Sequence, residues 1–144
     1  ALENMAWHAL ERGKEPHPLR FELCEEGGRI TAGQAGLAGQ IADAAWNGGD
    51  REALALGFHR AAARLVWEVC VLLRVRTGIH IAALSGGVFA NRLLLEHCVN
   101  YLEADGFIVY VNEKVPMNDG GIALGQAHIA ALLADRKENG SICV

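Results

Sequence analysis

Ile79-His80-Ile81-Ala82-Ala83-Leu84-Ser85-Gly86-Gly87-Val88-Phe89-Ala90-Asn91-Arg92 is the stretch around which the chain is read. Its apolar start reads as a buried strand, Ser85-Gly86-Gly87 as a turn, and the residues after it as the opening of a helix. A strand halted by two glycines and followed by a helix N-terminus presents unpaired backbone N–H groups in front of the turn, a natural place for an anion. The same two glycines could equally do no more than make a tight connection. The turn alone leaves both readings open.

Working downstream, Leu94, Leu95, Cys98, Tyr101 and Leu102 repeat at helical spacing over residues 89–104, and Asp105-Gly106 ends that helix. Residues 107–111 form a second strand. After a loop holding Pro116, Asn118-Asp119-Gly120-Gly121 leads into a last helix carrying Ile122, Ile129, Leu132 and Leu133. The polar segment 135–144 is expected to fray. Strand, helix, strand, helix is the order of a right-handed parallel unit, whose two post-strand turns emerge at one edge of the sheet. Ser85, Gly86 and Gly87 would there offer a hydroxyl and N–H donors to a phosphate. Asp119 would offer a carboxylate that tolerates a phosphate only with a cation between them. Asp119 taken alone reads as an N-cap. Asn91 could face a base or ribose, or stand in solvent; Phe89 could line an adenine pocket or enter the core; Arg92 could meet a phosphate or lie on the surface.

Upstream, Leu2, Met5, Ala6, Ala9 and Leu10 suggest a short helix stopped by Gly13, Pro16 and Pro18. Alternation at Leu19, Phe21 and Leu23, with Gly27-Gly28 before Arg29, predicts a hairpin over residues 19–31. A helix over residues 35–46 ends at Asn47-Gly48-Gly49. Asp50 then caps the longest helix, reaching about residue 74, with a stripe through Leu54, Phe58, Ala61, Leu65 and Val69.

The whole is an α/β chain of 144 residues, read as one domain over 1–144. A formal net charge of −4 and the absence of a basic tract argue against nucleic acid as a partner. No apolar run is long enough to span a bilayer, so no membrane is expected either. Cys24, Cys70, Cys98 and Cys143 show no C-x-x-C spacing, which fits reduced thiols in a cytoplasmic protein. The six histidines lack metal-ligand spacing, and His59, beside Phe58, reads as a packed or solvent-edge residue. Ser85 lacks a G-x-S-x-G elbow, so nucleophilic hydrolysis has no support.

The segment from Leu84 to Leu94 with its Ser85-Gly86-Gly87 core, followed by Gly106-Phe107 and by Pro116-Met117-Asn118-Asp119-Gly120-Gly121-Ile122-Ala123-Leu124-Gly125-Gln126-Ala127, resembles the C-terminal end of the HypF carbamoyltransferases of [NiFe]-hydrogenase maturation. Phe58-His59, and Glu3 with Ala6 and Ala9, extend the likeness over nearly the whole chain. The resemblance implies the second ribonuclease H-like lobe of a TsaD-like domain in the acetate kinase, sugar kinase, Hsp70 and actin superfamily. It implies ATP or carbamoyl adenylate as the bound nucleotide, with a carbamoyl group passing to the C-terminal cysteine of a HypE-like acceptor. By position, Gly86 and Gly87 would contact phosphate, Asn91 the nucleoside side, and Asp119 a divalent metal, whether iron, zinc or magnesium. Ala90 stands where the family usually has Gln. The histidine pair and acidic residue of the first lobe have no counterpart in this sequence, so the chain is expected to be part of a longer transferase that supplies the first lobe and further domains. An isolated binding module that self-associates, and a fragment of a TsaD-like tRNA threonylcarbamoyltransferase, are the competing readings.

Overall fold

A computed structural model describes residues 2–138. The chain runs α1 (Leu2–Glu11), β1 (Glu22–Glu26), β2 (Arg29–Gly33), α2 (Gln34–Trp46), α3 (Arg51–Thr77), β3 (Ile81–Leu84), a 3-10 turn (Gly87–Ala90), α4 (Arg92–Ala104), β4 (Ile108–Val111) and α5 (Gly120–Glu138). It is a mixed α/β fold. The longest helix, α3, begins where Asp50 accepts from the N–H groups of Glu52 and Ala53. It ends at Gly78, whose φ of +72° places it in the left-handed region, with its N–H donating to Arg74 O.

The hairpin forms, though three residues later than the alternation suggests: Leu23 pairs with Ala32 and Cys24 with Thr31. Leu19 and Phe21 belong instead to the packing beneath it. Leu19 is buried with Leu37, Leu54 and Ala61, and Phe21 meets the Phe58 ring at 6.4 Å between centroids. Apolar burial there outweighs the extension of two strands that are largely exposed to water.

β3 and β4 pair in parallel, with Ile81 opposite Ile108 and Leu84 opposite Val111. α3 and α4 cover one face through a core of Ala63, Ala82, Leu84, Phe89, Leu94, Cys98, Leu102 and Phe107. A neighbouring cluster joins Ala6 and Ala9 of α1 to Ala55, Leu56 and Leu93. The expectation of a fully buried strand is corrected here. Ala82 and Leu84 point inward, but Ile81, Ile108 and Tyr110 are about half exposed on the other face. A continuous apolar run suits a parallel strand covered on both sides, and among the described residues only one side is covered. The apolar residues Ile122, Leu124, Ile129, Leu132 and Leu133 of α5 are likewise exposed.

Helix α5 continues to Glu138, so residues 135–138 extend it; the rest of the expected tail, 139–144 with Cys143, lies outside the described residues. The sequence Ala-Asp-Arg-Lys-Glu contains no helix breaker until Gly140. No helix among the described residues is long and apolar enough to cross a membrane.

Candidate functional site

Because Leu84 and Val111 are paired at the ends of parallel strands, the chain leaves β3 and β4 at the same edge. Gly86 makes the first bend with φ +112° and ψ 157°, a conformation essentially confined to glycine. One 3-10 turn follows, in which Phe89 N–H donates to Gly86 O and Asn91 N–H to Val88 O, each at 3.1 Å. The buried Phe89 ring pins this turn to the core, so Phe89 is a packing residue. Ser85, Gly87 and Val88 face solvent, and Arg92 is exposed beside them.

The second turn adjoins the first: a Cβ added to Gly87 would stand 4.0 Å from Asn118 Cβ. Asn118 folds this turn, its Oδ1 accepting from Gly120 N–H at 3.0 Å and its carbonyl from Gly121 N–H at 2.9 Å. The side-chain contact that an N-cap reading gave to Asp119 thus comes from Asn118, and Asp119 is exposed on the same turn. Gly121 has no room for a side chain, because a Cβ there would lie 2.6 Å from Pro116 O.

The helix opening after the glycines differs from its expected form. The 3-10 turn intervenes, and α4 begins only at Arg92 with Asn91 as its N-cap. Asn91 Oδ1 accepts from Leu94 N–H at 2.9 Å, and Leu95 N–H donates to Asn91 O. Glu3, reaching over from α1, accepts from Leu93 N–H at 3.2 Å. The Leu93, Leu94 and Leu95 donors at the start of α4 are therefore already bonded, one of them to a carboxylate. The glycine turn offers an anion further donors: the N–H groups of Gly87 and Val88 head the 3-10 turn, and Ser85, just before it, carries a hydroxyl.

Asn91 also turns inward. Its amide nitrogen lies 2.8 Å from Nε2 of His59, a residue only 2% exposed. His59 Nδ1 lies 2.8 Å from Ala55 O. Sequence reasoning gave His59 as a packed or solvent-edge residue and as part of the family likeness; no local signal links it to Asn91, 32 residues away.

Nearby core groups are held neutral. Burial, reinforced by Arg60, pushes the His97 pKa down, and its Nε2 is buried without a partner. Burial raises the Cys98 thiol to about 11 and raises Cys70 as well, which removes both as ready thiolates.

Among the described residues no group of three or more His, Cys, Asp and Glu side chains converges as a metal site. Asp119 is a single carboxylate, and this does not amount to a metal centre. The site is an open edge built from two glycine turns. The larger concavities are lined elsewhere, one of about 440 Å³ by Arg64, Trp67, Tyr101, Ala104 and Asp105.

Residues 1–126 match the family described as carbamoyltransferase, Kae1-like domain, second subdomain. The probable carbamoyltransferase HypF of Methanocaldococcus jannaschii is 30% identical over 80 residues, 56% of this chain and 10% of that protein. The carbamoyltransferase HypF of Rhodobacter capsulatus is 45% identical over 49 residues, 34% of this chain and 6% of that protein. Among solved structures, full-length HypF in its phosphate- and nucleotide-bound form superposes with a TM-score of 0.74 at 36% identity, covering 83% of this chain and 15% of that one. The HypF of T. kodakarensis gives 0.68 at 29% identity, covering 93% and 16%. The chain thus spans about a tenth or less of these curated relatives. It belongs to the HypF carbamoyltransferase family, in its Kae1-like second subdomain.

Proposed function

From membership of that family we propose that the chain is the C-terminal, ribonuclease H-like lobe of a two-lobed carbamoyltransferase, and that its two glycine turns hold the nucleotide part of ATP or of a carbamoyl adenylate. The observation that carries this reading is the approach of Gly87 to Asn118, which makes one surface of two turns far apart in sequence. Gly86 and Gly87 let backbone come close to a phosphate without a side chain intervening, and Ser85 adds a hydroxyl donor. The phosphate- and nucleotide-bound state of the full-length relative supports nucleotide as the ligand class.

In the reaction so read, a cysteine thiolate of a HypE-like acceptor attacks the carbamoyl carbon. A carbon–sulfur bond forms, the bond from that carbon to the adenylate phosphate oxygen breaks, and AMP departs with the electron pair. The contribution of this chain is positional and electrostatic: fixed N–H donors keep the phosphate in place while negative charge returns to it. Asp119 borders the same edge and would give a divalent metal one ligand. The other ligands would have to come from beyond this chain, so no step is assigned to a metal. Asp119→Ala in the full-length protein is expected to abolish carbamoyl transfer to the acceptor cysteine, followed by mass spectrometry of the acceptor; transfer at the native rate would sink the role of Asp119.

The exposed outer face of β3 and β4, with Ile81, Ile108 and Tyr110, favours a second element of the reading: this face packs against the remainder of the parent protein. A competing assembly module would use it for self-association. Sedimentation with ATP titration separates them, since a monomer that binds ATP fits the transferase lobe and an oligomer indifferent to ATP fits the module.

A further inference from the structure

We infer that His59 and Asn91 are positioning residues for the glycine turn, acting as a buried polar link from α3 to the end of the 3-10 turn. The chain of contacts has a single direction. Ala55 O can only accept, so His59 Nδ1 carries the proton, and Nε2 is left with its lone pair. The Asn91 amide nitrogen 2.8 Å away donates to it, and this leaves Oδ1 facing the Leu94 N–H. Turning the Asn91 amide over would set donor against donor at Leu94 and acceptor against acceptor at His59. Its orientation is thus determined from both ends.

Capping alone does not call for this arrangement. Ser or Asp would cap α4 without a partner in α3, and an aliphatic residue at the site of His59 would fill the core without desolvating an imidazole. What the pair adds is attachment. Asn91 is at once the last contact of the 3-10 turn, through its N–H to Val88 O, and the N-cap of α4. Glu3 of α1 fastens α4 two residues further on, through Leu93 N–H. Three helices therefore converge on the C-terminal end of the turn, while the buried Phe89 holds its middle. The turn's N–H groups are left rigid, and the Leu93 N–H at the start of α4 is taken by Glu3.

That this rigidity serves nucleotide binding rests on the function proposed above; the link itself rests on the hydrogen bonds. Three variants and one spectrum test it in the full chain, with ATP as the probe. His59→Leu removes the acceptor from a residue too buried to touch ligand, and Asn91→Ser keeps a capping oxygen but cannot reach His59. Each should weaken ATP binding by about tenfold or more, whereas His59→Gln, which restores an acceptor for Asn91, should stay within about threefold. Histidine ¹⁵N spectra should show His59 protonated at Nδ1 and bare at Nε2. A folded His59→Leu with native ATP affinity, or the opposite tautomer, overturns the inference. Should the native chain bind no ATP, the nucleotide reading fails separately. The link is then judged, as it is if His59→Leu does not fold, by hydrogen exchange of the Phe89 amide in Asn91→Ser: faster exchange supports it and unchanged exchange overturns it.

Discussion

Gly86 and Gly87 are adjacent, yet alanine at each should damage a different property. At Gly86 an added Cβ would meet nothing within 4 Å, so crowding plays no part. The cost is conformational, because φ +112° with ψ 157° is a region that L-residues avoid. Such backbone strain costs roughly 1–3 kcal/mol, offset by up to about 1 kcal/mol from the smaller entropy of an unfolded chain with Ala in place of Gly. Gly86→Ala should therefore lower the melting temperature by about 2–8 °C for a chain of this size. At Gly87 the φ is not in the left-handed region, and a methyl would make only ordinary contact with Asn118. Gly87→Ala should leave stability unchanged or raise it by a few tenths of a kcal/mol. On the proposed nucleotide reading, however, its methyl would stand in the path of a phosphate, and ATP affinity should fall by about tenfold or more, equivalent to about 1.4 kcal/mol. Thermal denaturation and calorimetric titration with ATP read the two effects separately. Native ATP affinity in Gly87→Ala would refute close phosphate approach at this turn, and a native melting temperature in Gly86→Ala would refute the strain argument.

Gly57→Ala should destabilise the fold even though Ala is the better helix former by roughly 1 kcal/mol. Its Cβ would fall 2.2 Å from His17 O, whose own residue is tied to α3 through His17 N–H and Ala53 O. Backbone cannot swing aside as a side chain can, so overpacking of about 1–3 kcal/mol or more prevails, measurable by urea denaturation. A more stable variant would contradict it. Lys14 holds the Asp50 and Glu52 carboxyls below their usual range, chiefly by hydrogen bonding, and its own pKa is raised in return. For the two carboxylates the sign is fixed: their stabilisation is full above the ordinary carboxylate pKa and is lost as pH falls through the depressed folded values. Lys14→Met should thus be less stable than the native chain at pH 7, with the gap closing towards pH 2. A gap that persists in acid would show that the lysine acts by other means.

Much of the fold could be read locally because its signals are local. Asp50 before a long apolar stripe, Gly78 after it, and two glycine pairs after two apolar runs all place elements through neighbours within a few residues. The parallel pairing of β3 and β4 follows from their order and the intervening helix. The start of α4 was displaced because Val88-Phe89-Ala90 reads equally as the first turn of a helix. Burial of Phe89 with capping by Asn91 makes it a separate 3-10 turn. The contact of Glu3 with Leu93 spans 90 residues, and that of His59 with Asn91 spans 32. Neither leaves a trace in spacing, since each exists only once α1, α3 and α4 have packed. The uncovered face of β3 and β4 was hidden for the opposite reason: its residues are those of a strand covered on both sides.

The central claim is that the turn after β3 and the turn after β4 form one nucleotide site. Amide ¹H–¹⁵N spectra of the chain titrated with ATP test it most directly. The account predicts saturable shifts concentrated together at Ser85, Gly86, Gly87 and Val88 and at Asn118, Asp119, Gly120 and Gly121. Shifts confined to one turn, or gathered instead around Trp67 and Asp105, would contradict it.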